Sequence, residues 1–253
     1  MDPVAAGGFA AASATYSRIR PAYARRAIGV IKECCPRDGH VVDVAAGTGI
    51  LTGQLARAGL KVTAVEPLAP MAHHLRLALP AVPAVRAMAE ALPFETSTAD
   101  VLTVGQAFHW FSSDAALDEA ARVLRPGGVL ALLWNVRDES VPWVRELTEL
   151  VEARTGGRPY TDHRERDWVD VVADSGRFRD VRTERFANPV ATTVEGVVDR
   201  VRSTSFVAVL DPPERHALLA EVAALIARHD QLRGTFEYPH DTVVHLCRTL
   251  GSQ

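Results

Sequence analysis

The sequence predicts an α/β protein built on a doubly wound, seven-stranded, mostly parallel sheet, with an antiparallel strand near the C-terminus and a helical cap insertion. Two observations support this prediction. Short apolar runs alternate with helical patterns through the first half of the 253-residue chain. Most of these runs are apolar at consecutive positions, which is typical of parallel strands covered by helices on both faces. The length suits a single domain with a substantial core.

In the first half, turn signals separate each predicted strand from the element that follows. A glycine-rich turn at 47–49 follows the first strand, Glu66-Pro67 ends the second, and Gly127-Gly128 is predicted as the turn into the fifth. The predicted strands are 40–44, 62–65, 84–87, 101–104 and 129–136, and the predicted helices are 50–58, 70–79 and 113–124.

In the second half, strands at 178–186 and 242–248 are predicted to complete the sheet as an antiparallel edge pair. We expect one domain over 1–253, in which residues 137–253 complete the sheet and add a cap at about 190–232. This cap is predicted to lie over the ligand-binding edge of the sheet as a lid. The predicted helices are 142–154, 168–175, 194–210 and 212–229.

Composition disfavours several classes of protein. The chain has 28 basic and 31 acidic residues, evenly spread, and a net charge of −3, so a nucleic-acid partner is not expected. The longest fully apolar run has about six residues, far short of a membrane span, and the N-terminus lacks a secretory signal pattern. Three cysteines do not indicate a disulfide framework, so a cytoplasmic location is expected, and no metal-binding motif is present. The scarcity of lysine indicates GC-rich bacterial coding.

The most informative segment is the turn after the first strand, which reads Asp43-Val44-Ala45-Ala46-Gly47-Thr48-Gly49. Its glycines let a ligand approach the N-terminus of the next helix closely. Glu66 ends the second strand, 19 residues after Gly47, where an acid accepts hydrogen bonds from ribose hydroxyls. A dinucleotide fingerprint would need glycine at 45, 47 and 50, and only Gly47 is present, which disfavours NAD.

These residues resemble motif I of the class I S-adenosylmethionine-dependent methyltransferases, which is an acid followed by x-G-x-G-x-G. Ala45 replaces the first glycine, a departure that costs little if its φ is negative. Glu66 matches the ribose-binding acid of the family. The segment 89–94 resembles the one that covers the adenine, although the family often has Asp where Met88 stands, so the backbone or Glu90 would read the adenine amino group. Arg125–Leu130 matches the family's turn into the fifth strand.

Two further segments narrow the resemblance to small-molecule enzymes of the methyltransferase type 11 group. Tyr16–Tyr23 is similar to their N-terminal element, and Gln106–Phe111 is similar to a segment of trans-aconitate-methyltransferase-like proteins. The resemblance covers residues 14–137. It implies a Rossmann-like fold, a cofactor-binding half in 1–136, S-adenosyl-L-methionine as cofactor and S-adenosyl-L-homocysteine as product.

The resemblance and the strand-end positions together select candidate site residues. The candidate cofactor-binding residues are Tyr16, Arg20, Asp43, Ala45, Gly47, Thr48, Gly49, Glu66, Pro67, Met71, Met88, Ala89, Glu90, Gln106 and Ala107. The candidate substrate-binding residues are Tyr23, His109, Trp110, Asn135 and Arg137, and His109 is also the candidate catalytic residue.

Several of these assignments have alternatives. Asp43 either orients the ligand or caps the turn at 47–49, and Asn135 either faces the substrate or belongs to a turn. His109 is either a base, because histidine takes up a proton near neutral pH, or a core residue beside Trp110.

The expected function is methyl transfer to a small molecule by a bacterial monomer or homodimer, with specialised metabolism as one setting. O-, N- and C-methylation remain open. A hydroxyl, amine or ring carbon would use a base such as His109, whereas a carboxylate needs an anchor such as Arg20 or Arg137. The alternatives are a catalytically silent cofactor-binding module and, with less support, an NAD-dependent oxidoreductase.

Overall fold

The computed structural model describes residues 20–156 and 168–250. The predicted site residue Tyr16 and most of its N-terminal element lie outside the described residues. Nine strands are present in this part of the chain: β1 (His40–Val44), β2 (Lys61–Val65), β3 (Ala84–Val85), β4 (Ala99–Gly105), β5 (Leu124–Arg137), β6 (Phe178–Ala187), β7 (Val190–Thr192), β8 (Phe236–Tyr238) and β9 (His240–Thr249).

Seven of these strands form the central sheet, in the order β3-β2-β1-β4-β5-β9-β6, which confirms the predicted fold class. Neighbouring strands from β3 to β5 pair in parallel, whereas β9 is antiparallel to both β5 and β6. Strands β7 and β8 form a separate antiparallel pair that the sequence analysis missed.

Helices cover both faces of the sheet. They are α1 (Arg25–Cys34), α2 (Ile50–Arg57), α3 (Ala69–Ala78), α4 (Asp114–Val123), α5 (Pro142–Thr155), α6 (Trp168–Asp174), α7 (Val194–Arg202), α8 (Ser205–Ala208) and α9 (Pro212–Ala227). Alternate residues of β1 face opposite ways, because Val42 and Val44 pack with α4 and α6 while Val41 packs with α1 and α2. Because helices cover the two faces of the sheet, the polar residues at the ends of the strands lie outside these apolar layers.

Two local predictions were wrong. Gly127-Gly128 is a bulge inside β5 and not a separate turn, since β5 advances from Leu124 to Val129 while its partner β4 advances only from Ala99 to Val101. The predicted helix 194–210 is broken between α7 and α8. The hydroxyls of Ser203 and Thr204 both bond the Arg200 carbonyl, which competes with continuation of the helix.

The cap elements leave and rejoin the sheet at one edge. Ala187, the last residue of β6, pairs with Asp241, and Arg137, the last residue of β5, pairs with His240. Helices α7 and α9 pack with α5 in an apolar cluster of their own. The insertion therefore starts from the carboxyl edge of the parallel strands, and its function as a lid stays a prediction. No helix in the described part is both long and apolar enough to cross a membrane.

Candidate active site

A cleft opens at the carboxyl ends of β1, β2 and β4. Ligands bind at this edge in doubly wound sheets. The predicted site residues that line the cleft are Arg20, Tyr23, Asp43, Ala45, Gly47, Thr48, Glu66, Met71, Gln106, Ala107 and Trp110.

Glu66 is buried, and the backbone holds its carboxylate in place. Its Oε2 accepts a hydrogen bond from the Gly47 N–H at 2.8 Å, and its Oε1 accepts one from the Leu68 N–H at 2.9 Å. Burial raises the pKa of Glu66, and these two bonds oppose that shift. Each carboxylate oxygen has a second lone pair, so Glu66 can still accept hydrogen bonds from a ligand.

Asp43 is 1% exposed and does not cap the glycine turn. Its two oxygens accept hydrogen bonds from the hydroxyls of Thr52, at 2.5 Å, and Thr103, at 2.8 Å. Burial raises the pKa of this carboxyl to about 6, although both hydroxyl bonds oppose the shift. Asp43 therefore joins β1 to α2 and β4 beneath the cleft.

Two non-glycine residues in the cleft have left-handed backbone conformations. Ala45 has φ +54° and directly follows β1, and Gln106 has φ +57° and directly follows β4. The condition under which Ala45 would cost little, a negative φ, is therefore not met. Such conformations cost about 1–2 kcal/mol for residues with a Cβ, and they concentrate at functional sites. The glycine of the resembled motif would avoid this strain.

Thr48 lies at the glycine turn with a buried hydroxyl that has no hydrogen-bond partner within the described residues. The same residue lines the cleft. Buried hydroxyls normally have a partner. A ligand at the N-terminus of α2 would supply one.

The segment 21–23 forms a wall of the cleft and is clamped from two sides. The Gln54 side chain accepts a bond from the Tyr23 N–H at 2.8 Å and donates one to its carbonyl at 2.7 Å. On the other side, the Asn135 amide donates to the carbonyls of Pro21, at 3.1 Å, and Ala22, at 3.2 Å. The position of this wall thus depends on two amide side chains.

Asn135 also connects the cleft to the last strand. Its Oδ1 accepts bonds from Thr242, at 2.6 Å, and Asn188, at 3.1 Å, and its carbonyl accepts one from the Gln106 side chain at 3.1 Å. Asn135 lies within β5, so it is not a turn residue. Its contacts in the structure are with the chain, and contact with substrate stays a prediction.

Gly105 allows Tyr23 to approach β4. A Cβ at this position would lie 2.4 Å from the Tyr23 hydroxyl oxygen and 3.1 Å from Leu51. Sequence analysis missed Gly105 and five other residues of the cleft, although each lies within two positions of a predicted one. The missed residues are Pro21, Ala46, Ile50, Leu51, Leu68 and Gly105.

Other predicted site residues do not line the cleft. Gly49 has φ +88°, and a Cβ there would lie 2.9 Å from Leu79, so this glycine permits the packing of α2. Met88 is 44% exposed. His109 lies on a short 3₁₀ turn, with its ring 4.6 Å from that of Trp110. The predicted residues outside the cleft wall are Gly49, Pro67, Met88, Ala89, Glu90, His109, Asn135 and Arg137. The ligand roles of these residues stay predictions.

The fold and the cleft define a doubly wound α/β protein with a ligand site at the carboxyl edge of β1, β2 and β4. A family model of the methyltransferase domain matches residues 42–132. Uncharacterised methyltransferases of Mycobacterium tuberculosis and Mycobacterium bovis are each 37% identical over 224 residues, which is 88% of this chain and 87% of theirs. The chain belongs to the class I S-adenosylmethionine-dependent methyltransferases.

Solved structures share this fold. A protein from Anaeromyxobacter dehalogenans, proposed to be a type II methyltransferase, has a TM-score of 0.64 and 23% identity, covering 92% of this chain and 99% of its own. A phosphoethanolamine N-methyltransferase of Haemonchus contortus, solved with S-adenosylhomocysteine, has a TM-score of 0.51 and 16% identity, covering 90% of this chain and 52% of its own.

Proposed function

We propose that this protein transfers a methyl group from S-adenosyl-L-methionine to a small-molecule acceptor, with S-adenosyl-L-homocysteine as product. The observation that carries the proposal is the cleft in which Glu66, the strained turn at Ala45 and the Thr48 hydroxyl meet. The S-adenosylhomocysteine bound to the Haemonchus contortus methyltransferase agrees with it.

The residues of the cleft suit this cofactor. Glu66 would accept hydrogen bonds from the ribose, Thr48 and the turn at 47–49 would contact the ligand at the N-terminus of α2, and Arg20 would pair with the methionine carboxylate. When bound, the cofactor supplies a methyl group already activated on a sulfonium. The chain therefore needs to bind, orient the acceptor and exclude water.

We further propose a small-molecule acceptor because neither the charge nor the composition suits a nucleic acid. His109 is proposed as base or substrate orienter, with Trp110 beside it in the cleft wall. The proposed context is a bacterial cytoplasmic enzyme that acts as a monomer or homodimer, and specialised metabolism is one setting for it.

Binding of S-adenosyl-L-homocysteine tests the cofactor assignment. We expect the wild type to bind it more tightly than NAD in isothermal titration calorimetry. Glu66→Gln should weaken binding about tenfold or more, because hydrogen bonds to a charged group contribute about 1.5–3 kcal/mol. Glu95→Gln, at an exposed site, should leave the Kd unchanged. Tighter binding of NAD, or equal Kd values for the Glu66 and Glu95 variants, would contradict the proposal.

Turnover separates an enzyme from a silent binding module. Methyl-labelled cofactor would be incubated with a broad panel of hydroxyl, amine, carboxylate and ring-carbon acceptors, and labelled products would be counted. We expect transfer to at least one acceptor. Binding without any transfer across the panel would favour the silent module, and full turnover by His109→Ala would exclude His109 as base.

A further inference from the structure

A second group of polar side chains, of which all but Arg137 are buried, lies where the cap joins the sheet. Tyr238 ends β8, His240 begins β9, Arg137 ends β5 and Arg200 comes from α7. Tyr238 and His240 are each 2% exposed and Arg200 is 8% exposed. No motif pointed to this cluster, because its members are spread over more than 100 residues of sequence.

Two polar atoms of the cluster have no hydrogen-bond partner within the described residues, the Tyr238 hydroxyl and the His240 Nε2. The His240 Nδ1 lies 2.9 Å from the Tyr238 carbonyl, which can only accept, so Nδ1 carries the proton. In the neutral ring, Nε2 is then an acceptor that awaits a donor. Buried polar atoms are normally satisfied, so this pair needs a partner that the described residues do not supply.

The cluster is electropositive. Burial is the main cause that lowers the pKa of His240 to about 3, and the charges of Arg200 and Arg137 lower it further, while the bond to the Tyr238 carbonyl opposes the shift. The Arg200 guanidinium also lies over the Tyr238 ring, 5.3 Å from its centroid. The surroundings therefore favour an anion.

The position of the cluster suits an acceptor. Arg137 and His240 are register partners two positions beyond the Asn135–Thr242 pair, so their side chains share a face of the sheet with that pair. Asn135 bonds both Pro21 and Gln106, which line the cofactor cleft. Two residues of strand span about 7 Å, so Arg137 and His240 lie that far along their strands from the Asn135–Thr242 pair, which holds the cleft wall.

We propose that Tyr238, His240 and Arg137 form the subsite that recognises the acceptor, and that the acceptor is a small hydroxy acid. Its carboxylate pairs with Arg137 and accepts from the Tyr238 hydroxyl, and its hydroxyl donates to the His240 Nε2. Arg200 adds positive potential and holds the Tyr238 ring. This inference rests on the proposed methyl-transfer function, because it assigns the acceptor of that reaction.

Binding of defined acids to the full chain tests the subsite. Lactate, malate and salicylate would be titrated into protein saturated with S-adenosyl-L-homocysteine, next to their counterparts without the hydroxyl, propionate, succinate and benzoate. We expect at least one hydroxy acid to bind at least tenfold more tightly than its counterpart. Tyr238→Phe and Arg137→Gln should each weaken that binding at least tenfold without changing the Kd of S-adenosyl-L-homocysteine.

The controls separate this inference from the proposed function. Arg233→Gln removes a charge from an 80% exposed side chain and should leave acid binding unchanged. Arg137 is only partly buried, so its variant tests the subsite even if Tyr238→Phe does not fold. Failure of every hydroxy acid to bind, or equal binding by the variants, would overturn the subsite while cofactor binding persists. Failure of S-adenosyl-L-homocysteine itself to bind would instead overturn the proposed function.

Discussion

The cofactor cleft and the proposed acceptor subsite differ in how their polar groups are held. In the cleft, the carboxylates of Asp43 and Glu66 bond hydroxyl or N–H donors of the chain at 2.5–2.9 Å, although the Thr48 hydroxyl has no partner within the described residues. In the subsite, the Tyr238 hydroxyl and the His240 Nε2 have no partner within the described residues. A cofactor that many enzymes have in common can be bound by a preorganised site whose polar groups already bond the chain. A specific acceptor is better selected by polar atoms that only the correct ligand satisfies.

Asn135 physically joins these two regions. Its amide holds the cleft wall at Pro21 and Ala22, and its carbonyl oxygen Oδ1 holds Thr242, two residues from His240. Substitutions at and around this link therefore show how far the regions depend on each other.

The largest effect is expected from Asn135→Ala. Loss of the amide leaves the part-buried carbonyl contacts of Pro21 and Ala22 and the buried Thr242 hydroxyl with fewer partners, which should lower the free energy of unfolding by about 3 kcal/mol at roughly 1 kcal/mol for each group. The variant should also bind S-adenosyl-L-homocysteine about tenfold more weakly, because the wall at 21–23 loses its hold. Urea denaturation and calorimetry measure the two effects.

Asn188→Ala is the matched control for this prediction. It removes an amide that bonds Asn135 at 3.1 Å and the Ala22 carbonyl at 2.8 Å from a more exposed position. We expect a loss of about 1 kcal/mol, because the two bonds lie at an exposed and a part-buried position and each contributes near the low end of about 0.5–1.5 kcal/mol. Equal losses for the two variants would show that Asn135 is not the link between the regions.

A smaller effect, with a defined pH dependence, is expected from Asp43→Asn. The pKa of Asp43 is raised from 3.8 to about 6 in the folded protein, so the folded state retains a proton that the unfolded chain releases. The retained proton adds to the free energy of unfolding. This contribution is complete below about pH 4 and is lost as the pH rises through 6. At about 1.4 kcal/mol for each pKa unit, it amounts to at most about 3 kcal/mol.

Urea denaturation at pH 4, 5, 6 and 7 checks this prediction. The stability of the wild type relative to Asp43→Asn should be greatest at pH 4 and should decrease towards pH 7. Because Glu66 is also buried with a raised pKa and its charge contributes to the shift of Asp43, the measurement is repeated in a Glu66→Gln background. A difference that is independent of pH would show that Asp43 does not carry the effect.

The smallest effect is expected from Ala45→Gly. Relief of the left-handed conformation at φ +54° should outweigh the added freedom of the unfolded chain and stabilise the protein by about 0.5–1 kcal/mol. Ala46→Gly is the control, since Ala46 does not have a positive φ and glycine there should destabilise by a similar amount. A destabilising result at Ala45 in thermal or urea denaturation would contradict the assigned strain.

Local sequence predicted the cleft better than the subsite. The turn at 43–49 and Glu66 were recognisable because glycines and an acid at strand ends act through their own backbone and nearest neighbours. The hydrogen bond from the Gly47 N–H to Glu66 at 2.8 Å is a tertiary contact that was not predicted. The positive φ of Ala45 was not predictable, because tertiary packing overrides the local preference of alanine.

The sequence by itself determined the fold class, the parallel arrangement of the strands in the first half, the glycine turn and the methyltransferase resemblance. These features depend on hydrophobic periodicity and on residues close together in the chain. The tertiary structure alone decided that Asn135 links the cleft to β9, that Asp43 bonds Thr52 and Thr103, and that Tyr238 and His240 meet Arg137 and Arg200. Each of these contacts joins residues that only the pairing of distant strands and helices brings within hydrogen-bonding or electrostatic range.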